Sequence, residues 1–271
     1  MSTQNRSNWV NRVPDVLLQD QRLVFLESVV SIALVWWLVA VGLGVTDLIS
    51  SPVIVAGSFY DLAVSMEWVP HLIATLRRTV YGFVATMLLG SVLGIAMGIS
   101  SFWEKALQDY IIVGLALPSL FAAVFAAMWF GLNDVTPMVA SAVIAFPFLT
   151  QNVYEAVKNI DHRLLEMSSA FDVSRSRVIR RVVVQSVMPS FFAGSRYAFS
   201  ICWKITTLAE LVAASNGVGY MIEAQMQRRS ITGVITWTVL FMLVILFLEY
   251  GVLQRIERHV FEWRAESEIA W

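Results

Sequence analysis

The chain has 271 residues and a net charge of -1, and only 14% of its residues are charged, against about 25% in soluble domains. With 58% hydrophobic residues and a mean hydropathy of +0.68, it reads as a membrane protein without the basic field that nucleic acid binding needs. The single Cys202 excludes an intramolecular disulfide and a cysteine metal site, and His71, His162 and His259 are too scattered for a metal cluster.

Residues 1–27 open with "MSTQNRSNWVNRVPDVLLQDQRL". No apolar core follows its basic start closely, so it is read as a retained segment and not as a secretory signal. A spanning helix needs roughly 20 apolar residues. Runs of that kind cover 28–46 (Ser28 to Thr46), Thr79 to Trp103, Tyr110 to Asn133, Val135 to Tyr154 and Ser230 to Leu248. A further span, "SVMPSFFAGSRYAFSICWKITTLAELVAA", precedes the last one although it carries Arg196, Lys204 and Glu210. The expected fold is an all-α integral membrane protein with six transmembrane helices: a first helix at 28–46, a core over 47–256 and a tail over 257–271.

With the N-terminus inside, thirteen Lys and Arg fall on the cytoplasmic side and only Arg77, Arg78, Arg228 and Arg229 fall outside. The positive-inside rule then places both termini in the cytoplasm. Outside, Val53 to Met66 reads as a short interfacial helix, and Gly217 with Gly219 as a bend after the fifth span. Gly82, Gly90, Gly94 and Gly98 let helices approach closely, and packing within the subunit is preferred to a dimer seam.

The loop between the fourth and fifth spans, 155–187, is the basic exception in this apolar chain. Its stretch "EMSSAFDVSRSRVIRRVVVQSVMP" reads as two short helices with a break at Asp172, Val173 and Ser174. Ser174 is the expected N-cap of the second helix, and Pro189 fits the first turn of the fifth span. From pattern alone, an amphipathic anchor to anionic lipid is one reading.

The order of residues adds another. The segment resembles the EAA loop of permease subunits of ATP-binding cassette importers, which runs Glu-Ala-Ala, then Gly four residues on, then I-x-L-P. Glu166 stands at the Glu, Ser168 and Ala170 fall among the small positions, Ser174 matches the Ser that often follows the Gly, and Pro189 closes the motif. Met167 and Ser168 replace the alanines, Asp172 replaces the Gly, and "VQSVMP" departs from I-x-L-P. The Gly ordinarily permits a positive φ, which Asp tolerates at modest cost. "HLIATLRRTVYGFVATMLLGSVLGIAMG", "LALPSLFAAVFAAMWFG", "IAFPFLTQNVYEAV" and "WKITTLAELVAASNGVGYMI" are similar, in the same order, to the nitrate, sulfonate and taurine branch of that family, so the resemblance covers about 50–260.

The resemblance implies a bacterial inner-membrane permease subunit, not an enzyme, that passes a small solute, an anion such as a sulfonate, taurine or nitrate. It implies a second permease copy, two cassette ATPase subunits and an extracytoplasmic binding protein as partners, besides the bilayer and without nucleic acid. No cofactor is expected on this chain; ATP and Mg act in the partner ATPase, consistent with the lack of a G-x-x-x-x-G-K phosphate loop. The resemblance further implies that the loop is a coupling helix resting in an ATPase groove, with Glu166, Ala170, Asp172, Ser174, Arg175 and Pro189 as its coupling residues. Arg196, Lys204 and Glu210 are pathway or gate candidates. Arg196 is read mainly as a structural residue that snorkels inward, Glu210 as a gate or hydrogen-bonding group, and Lys204 either faces the pathway or pairs with an acid such as Glu210. An ATP-independent carrier would need paired acids within several spans or an inverted repeat, and a membrane enzyme a clustered nucleophile, base or metal site.

Overall fold

A computed structural model describes residues 21–44, 46, 49–253 and 255, and every regular element among them is helical. In chain order these are α1 (Gln21–Trp37, continued by a π turn at Leu38–Gly42), α2 (Pro52–Ser65), α3 (Trp68–Ile99), α4 (Ser101–Ala116), α5 (Ser119–Phe130) and α6 (Val135–Lys158). After these come α7 (His162–Ala170), α8 (Arg175–Val178), a π turn at Ile179–Val183, α9 (Val184–Ala213), α10 (Val218–Gln227), α11 (Ile231–Leu246) and a closing π turn at Phe247–Leu253. Of the expected cytoplasmic ends, 1–20 and 256–271 lie outside the described residues.

Among the described residues two helices, Trp68–Ile99 and Ile231–Gly251, are long and apolar enough to cross a membrane. The number rises to four when each of two bent pairs counts as one crossing. One pair departs from the sequence expectation. The run Tyr110 to Asn133, read as one span, is broken between α4 and α5 by a bend of 102°. The cause is local: Pro118 clashes with a helical residue before it, and Leu117 is accordingly extended at ψ 122°.

Helix α3 begins at Trp68 and not at Thr79, so Arg77 and Arg78 lie within it. Pro189 is also displaced from its expected place. It sits inside α9 because α8, the π turn and α9 form one unbroken helix from Arg175 to Ala213. Nothing between Arg175 and Pro189 stops a helix, and membrane helices tolerate an internal proline when neighbouring groups satisfy the freed carbonyl. The expected interfacial helix is α2, started by Pro52 at its first turn and ended by Met66 at φ 57°.

Helix α6 is central, packed on α3 on one side and α9 on the other, with α4 and α5 against it. The glycines of α3 make the first contact possible. A Cβ on Gly90 would lie 2.8 Å from the Leu149 side chain, one on Gly94 2.7 Å from the Thr150 carbonyl oxygen, and one on Gly98 2.6 Å from Val157. The glycine stripe therefore serves packing within the chain. The outward faces are apolar, with Leu88, Val92, Phe121, Met128 and Trp129 all exposed, as lipid contact requires.

Candidate functional site

Helix α9 carries a distinct polar centre at each end. At the end near Ala213, Glu210 is buried and accepts from Arg78 Nη1 at 2.6 Å and from Thr75 Oγ1 at 2.8 Å. Arg78, with no exposed side-chain surface, also donates through Nε to Asp134 at 3.2 Å and through Nη1 to the Asn216 carbonyl at 2.7 Å. Its Nη2 bonds both Asp134 and the Asn216 side chain, and Arg77 pairs with Asp134 as well. A buried guanidinium demands such a set, since its five donors are costly to leave unmatched.

The same face of α3 holds the turn that follows α9. Gly217 N–H donates to His71 Nδ1 at 3.1 Å, Val218 N–H to Thr75 Oγ1 at 2.9 Å, and Gly219 N–H to Glu210 Oε2 at 3.1 Å. His71, Thr75 and Arg78 follow one another at helical spacing, so one stripe of α3 holds Gly217, Val218 and Asn216, while Glu210 of α9 holds Gly219. Glycine is required at two of them. Gly217 adopts φ 116°, and a Cβ there would lie 2.5 Å from the Glu210 carboxyl, while one on Gly219 would lie 2.1 Å from the Thr207 carbonyl oxygen.

Of the pathway candidates, Glu210 thus pairs with Arg78 and not with Lys204. Lys204 is exposed and makes no ion pair among the described residues. Arg196 is bound: its Nη2 lies 2.5 Å and its Nε 2.7 Å from Glu249 Oε1, which ties α9 to the turn after α11. Sequence reading missed Arg78, Asp134 and Glu249 as partners. The available signal was charge balance, because Glu210 and Arg196 each need an opposite charge at their own depth.

At the other end, the predicted coupling residues form a compact exposed unit. Asp161 caps α7 by accepting from Arg163 N–H at 2.9 Å. Glu166, Ala170, Asp172, Ser174 and Arg175 are all exposed, and Pro189 is half-buried about one and a half turns into α9. Asp172 has φ 51°, the left-handed conformation expected of the motif's Gly. Its N–H donates to the Ser169 carbonyl at 3.1 Å and Val173 N–H to the Ser168 carbonyl at 2.9 Å. These two bonds are a Schellman C-cap with Asp in the glycine position. Ser174 stands at the N-cap of α8, where its carbonyl, and not its hydroxyl, accepts from Arg177 N–H at 2.8 Å. Leu164, Met167 and Phe171 leave 39%, 52% and 76% of their surface uncovered. They fall at i, i+3 and i+7, the spacing of a helix that presents one face to a groove.

The chain is similar to known proteins over most of its length. Residues 86–262 match the family model described as the binding-protein-dependent transport system inner membrane component. The chain is 28% identical over 234 residues to the putative aliphatic sulfonates transport permease protein SsuC of Bacillus subtilis, covering 86% of this chain and 84% of that one. It is 24% identical over 198 residues to the taurine transport system permease protein TauC of Escherichia coli, covering 73% and 72%. It is also 24% identical over 234 residues to the formylaminopyrimidine transport permease protein ThiX of Halalkalibacterium halodurans, covering 86% and 92%. Among solved structures, the inward-facing MetNI methionine ABC transporter superposes with a TM-score of 0.62 at 19% identity, covering 72% of this chain and 98% of that one, which supports the fold. Because the family model spans well over half of the chain, this protein belongs to the binding-protein-dependent transport system inner membrane components, the membrane permeases of ABC transporters.

Proposed function

We propose that this chain is the transmembrane subunit of a bacterial ATP-driven importer for a small sulfonate-type anion, with six crossings and both termini in the cytoplasm. Two copies would enclose the pathway, two cassette ATPases would bind ATP and Mg from the cytoplasmic side, and a binding protein would deliver solute from outside. The relatives named for sulfonates and taurine support the solute class.

One observation carries the coupling reading. A single helix runs from Arg175, in the exposed basic loop, to Ala213, beside the buried Arg78–Glu210 pair. At 1.5 Å per residue such a helix is about 58 Å long. A push on the loop is therefore delivered to the far end without a flexible joint, which is what a two-state switch driven from one side of a membrane requires. Leu164, Met167 and Phe171 supply the apolar contact for the ATPase groove, with Glu166, Ala170, Asp172, Ser174 and Arg175 around it. Arg196, Lys204 and Glu210 all lie on α9, which we place beside the pathway.

The test is reconstitution of the permease with its candidate ATPase in lipid, reading ATP hydrolysis and ethanesulfonate uptake together. Native protein is expected to couple the two, and Glu166→Arg or a Gly and Ser replacement of 171–174 to abolish coupling. Normal uptake by both variants would refute the coupling role of this loop. Uptake without any ATPase would refute the importer reading.

A further inference from the structure

One peptide unit of the turn after α9 is gripped by α3 at both of its polar ends. The Asn216 carbonyl accepts from Arg78 Nη1 at 2.7 Å, and the Gly217 N–H of the same peptide donates to His71 Nδ1 at 3.1 Å. The two grips respond differently to protons. A guanidinium stays charged throughout, whereas an imidazole changes charge between about pH 5 and 8. We propose that His71 is a proton-operated latch on this turn, holding the Gly217 N–H when its ring is neutral and releasing it when the ring is protonated.

An imidazole nitrogen that accepts a hydrogen bond carries no proton, so Nδ1 supplies a lone pair and the ring hydrogen sits on Nε2. Protonation turns Nδ1 into a donor facing another donor, and the bond present at higher pH is lost as pH falls. The charged ring still has a place to stay. It stacks on Tyr220 of α10 at 6.4 Å and meets Trp237 of α11 edge-on at 5.6 Å, and aromatic surfaces also receive a cation. His71 is half-buried, not sealed, and Glu67, one turn before it on α3, is close enough to act on its charge. The other ionisable groups of the surrounding elements are Tyr220 itself, Glu223 of α10, which accepts from Gln227, and Glu210 of α9, which is bonded to Arg78 and Thr75. Asp61 of α2 and Arg228 share a cleft with Glu67 and Trp237. Among the described residues none of these is hydrogen-bonded to the imidazole, whose bond to Gly217 N–H is therefore the one that a proton breaks.

Release is partial. Arg78 keeps the Asn216 carbonyl and Thr75 keeps the Val218 N–H, since neither side chain titrates in this range. Acid thus loosens the turn without freeing it, and the Ala213 end of the long helix parts from α3 more readily. Loss of one ordinary hydrogen bond corresponds to a population shift of about fivefold. The latch is independent of the solute; the importer reading enters only in placing it on the extracytoplasmic side.

Hydrogen–deuterium exchange of the full-length permease in nanodiscs, at about pH 8 and about pH 5, tests the latch across the range in which an imidazole titrates. The segment read is 214–219, with rates corrected for the intrinsic pH dependence of amide exchange. Native protein is expected to lose protection there about fivefold on acidification. His71→Asn keeps an oxygen acceptor near the position of Nδ1 but takes up no proton, so its protection should match the native value at the higher pH and persist at the lower. His71→Phe should lack that protection at both. In protein labelled with 15N-histidine, the signal missing from His71→Asn identifies His71, whose nitrogens should report a proton on Nε2 alone at the higher pH. Native protection unchanged by acid, an acid step that persists in His71→Asn, or a proton on Nδ1 at the higher pH overturns the proposal. None of these outcomes bears on whether the chain is an importer.

Discussion

The two ends of the Arg175–Ala213 helix are built on opposite principles. Near Ala213 the central charges are buried and matched, with Arg78 and Glu210 both without exposed side-chain surface. Near Arg175 the charges are solvated, and apolar side chains such as Phe171, at 76% exposure, are left largely uncovered by the described residues. The first end is complete within one polypeptide and the second is not. A helix fixed at one end and uncovered at the other is suited to being moved by something outside the chain.

This contrast is broken most severely at Arg78. Arg78→Met would strand Glu210 in the core with only Thr75 and the Gly219 N–H as donors, and loss of one partner of a buried pair costs about 3–5 kcal/mol. Glu210→Gln should cost less, about 1–3 kcal/mol, because Asp134 still answers the guanidinium. At the opposite end, Glu166→Gln should stay within ~0.5 kcal/mol, as expected of an exposed side chain. Thermal unfolding of the three variants in nanodiscs checks the order. An Arg78→Met protein as stable as Glu166→Gln would show that the buried cluster does not hold the bundle together.

The next effect comes from the turn that α3 grips. Gly219→Ala places a methyl 2.1 Å from the Thr207 carbonyl oxygen, and overpacking against a backbone atom costs about 1–3 kcal/mol. Gly217→Ala adds strain at φ 116° to a clash with Glu210. Both should lower the unfolding temperature, while Gly57→Ala, with nothing within 4 Å of the added methyl, should raise or preserve it. Equal behaviour at all three positions would argue against the packing described for α3 and the turn.

Much of this was readable from the residues, and what was not has a physical reason. The left-handed bend at Asp172 and the break at Gly217 follow from local backbone chemistry, and both are present at φ 51° and φ 116°. The glycine stripe of α3 was legible for the same reason, since close approach depends on the missing Cβ. The 102° bend at Pro118 was passed over because a hydropathy window averages across a proline, although the extended residue before it carried the signal. Arg78 was lost because trimming charges from the span placed it in a loop. Its partner is 132 positions away in sequence, a pairing no local pattern contains. The segment proposed for coupling stands out by the order of its residues, yet Leu164, Met167 and Phe171, its uncovered face, only stand out once exposure is known.

A change at Asp172 separates two uses of a single residue. Asp172 occupies the left-handed position of a Schellman cap, where a non-glycine residue costs roughly 1–2 kcal/mol. Glycine removes that cost but loses about 0.5–1 kcal/mol of chain entropy, so Asp172→Gly should gain no more than ~1.5 kcal/mol. The carboxylate also sits exposed at the tip of the segment assigned to the ATPase. A variant that is slightly more stable and couples ATP hydrolysis to uptake as well as native protein would confine Asp172 to a backbone role. A variant that is more stable but uncoupled would show that the carboxylate itself is held by the partner, because the turn it leaves behind is, if anything, better formed.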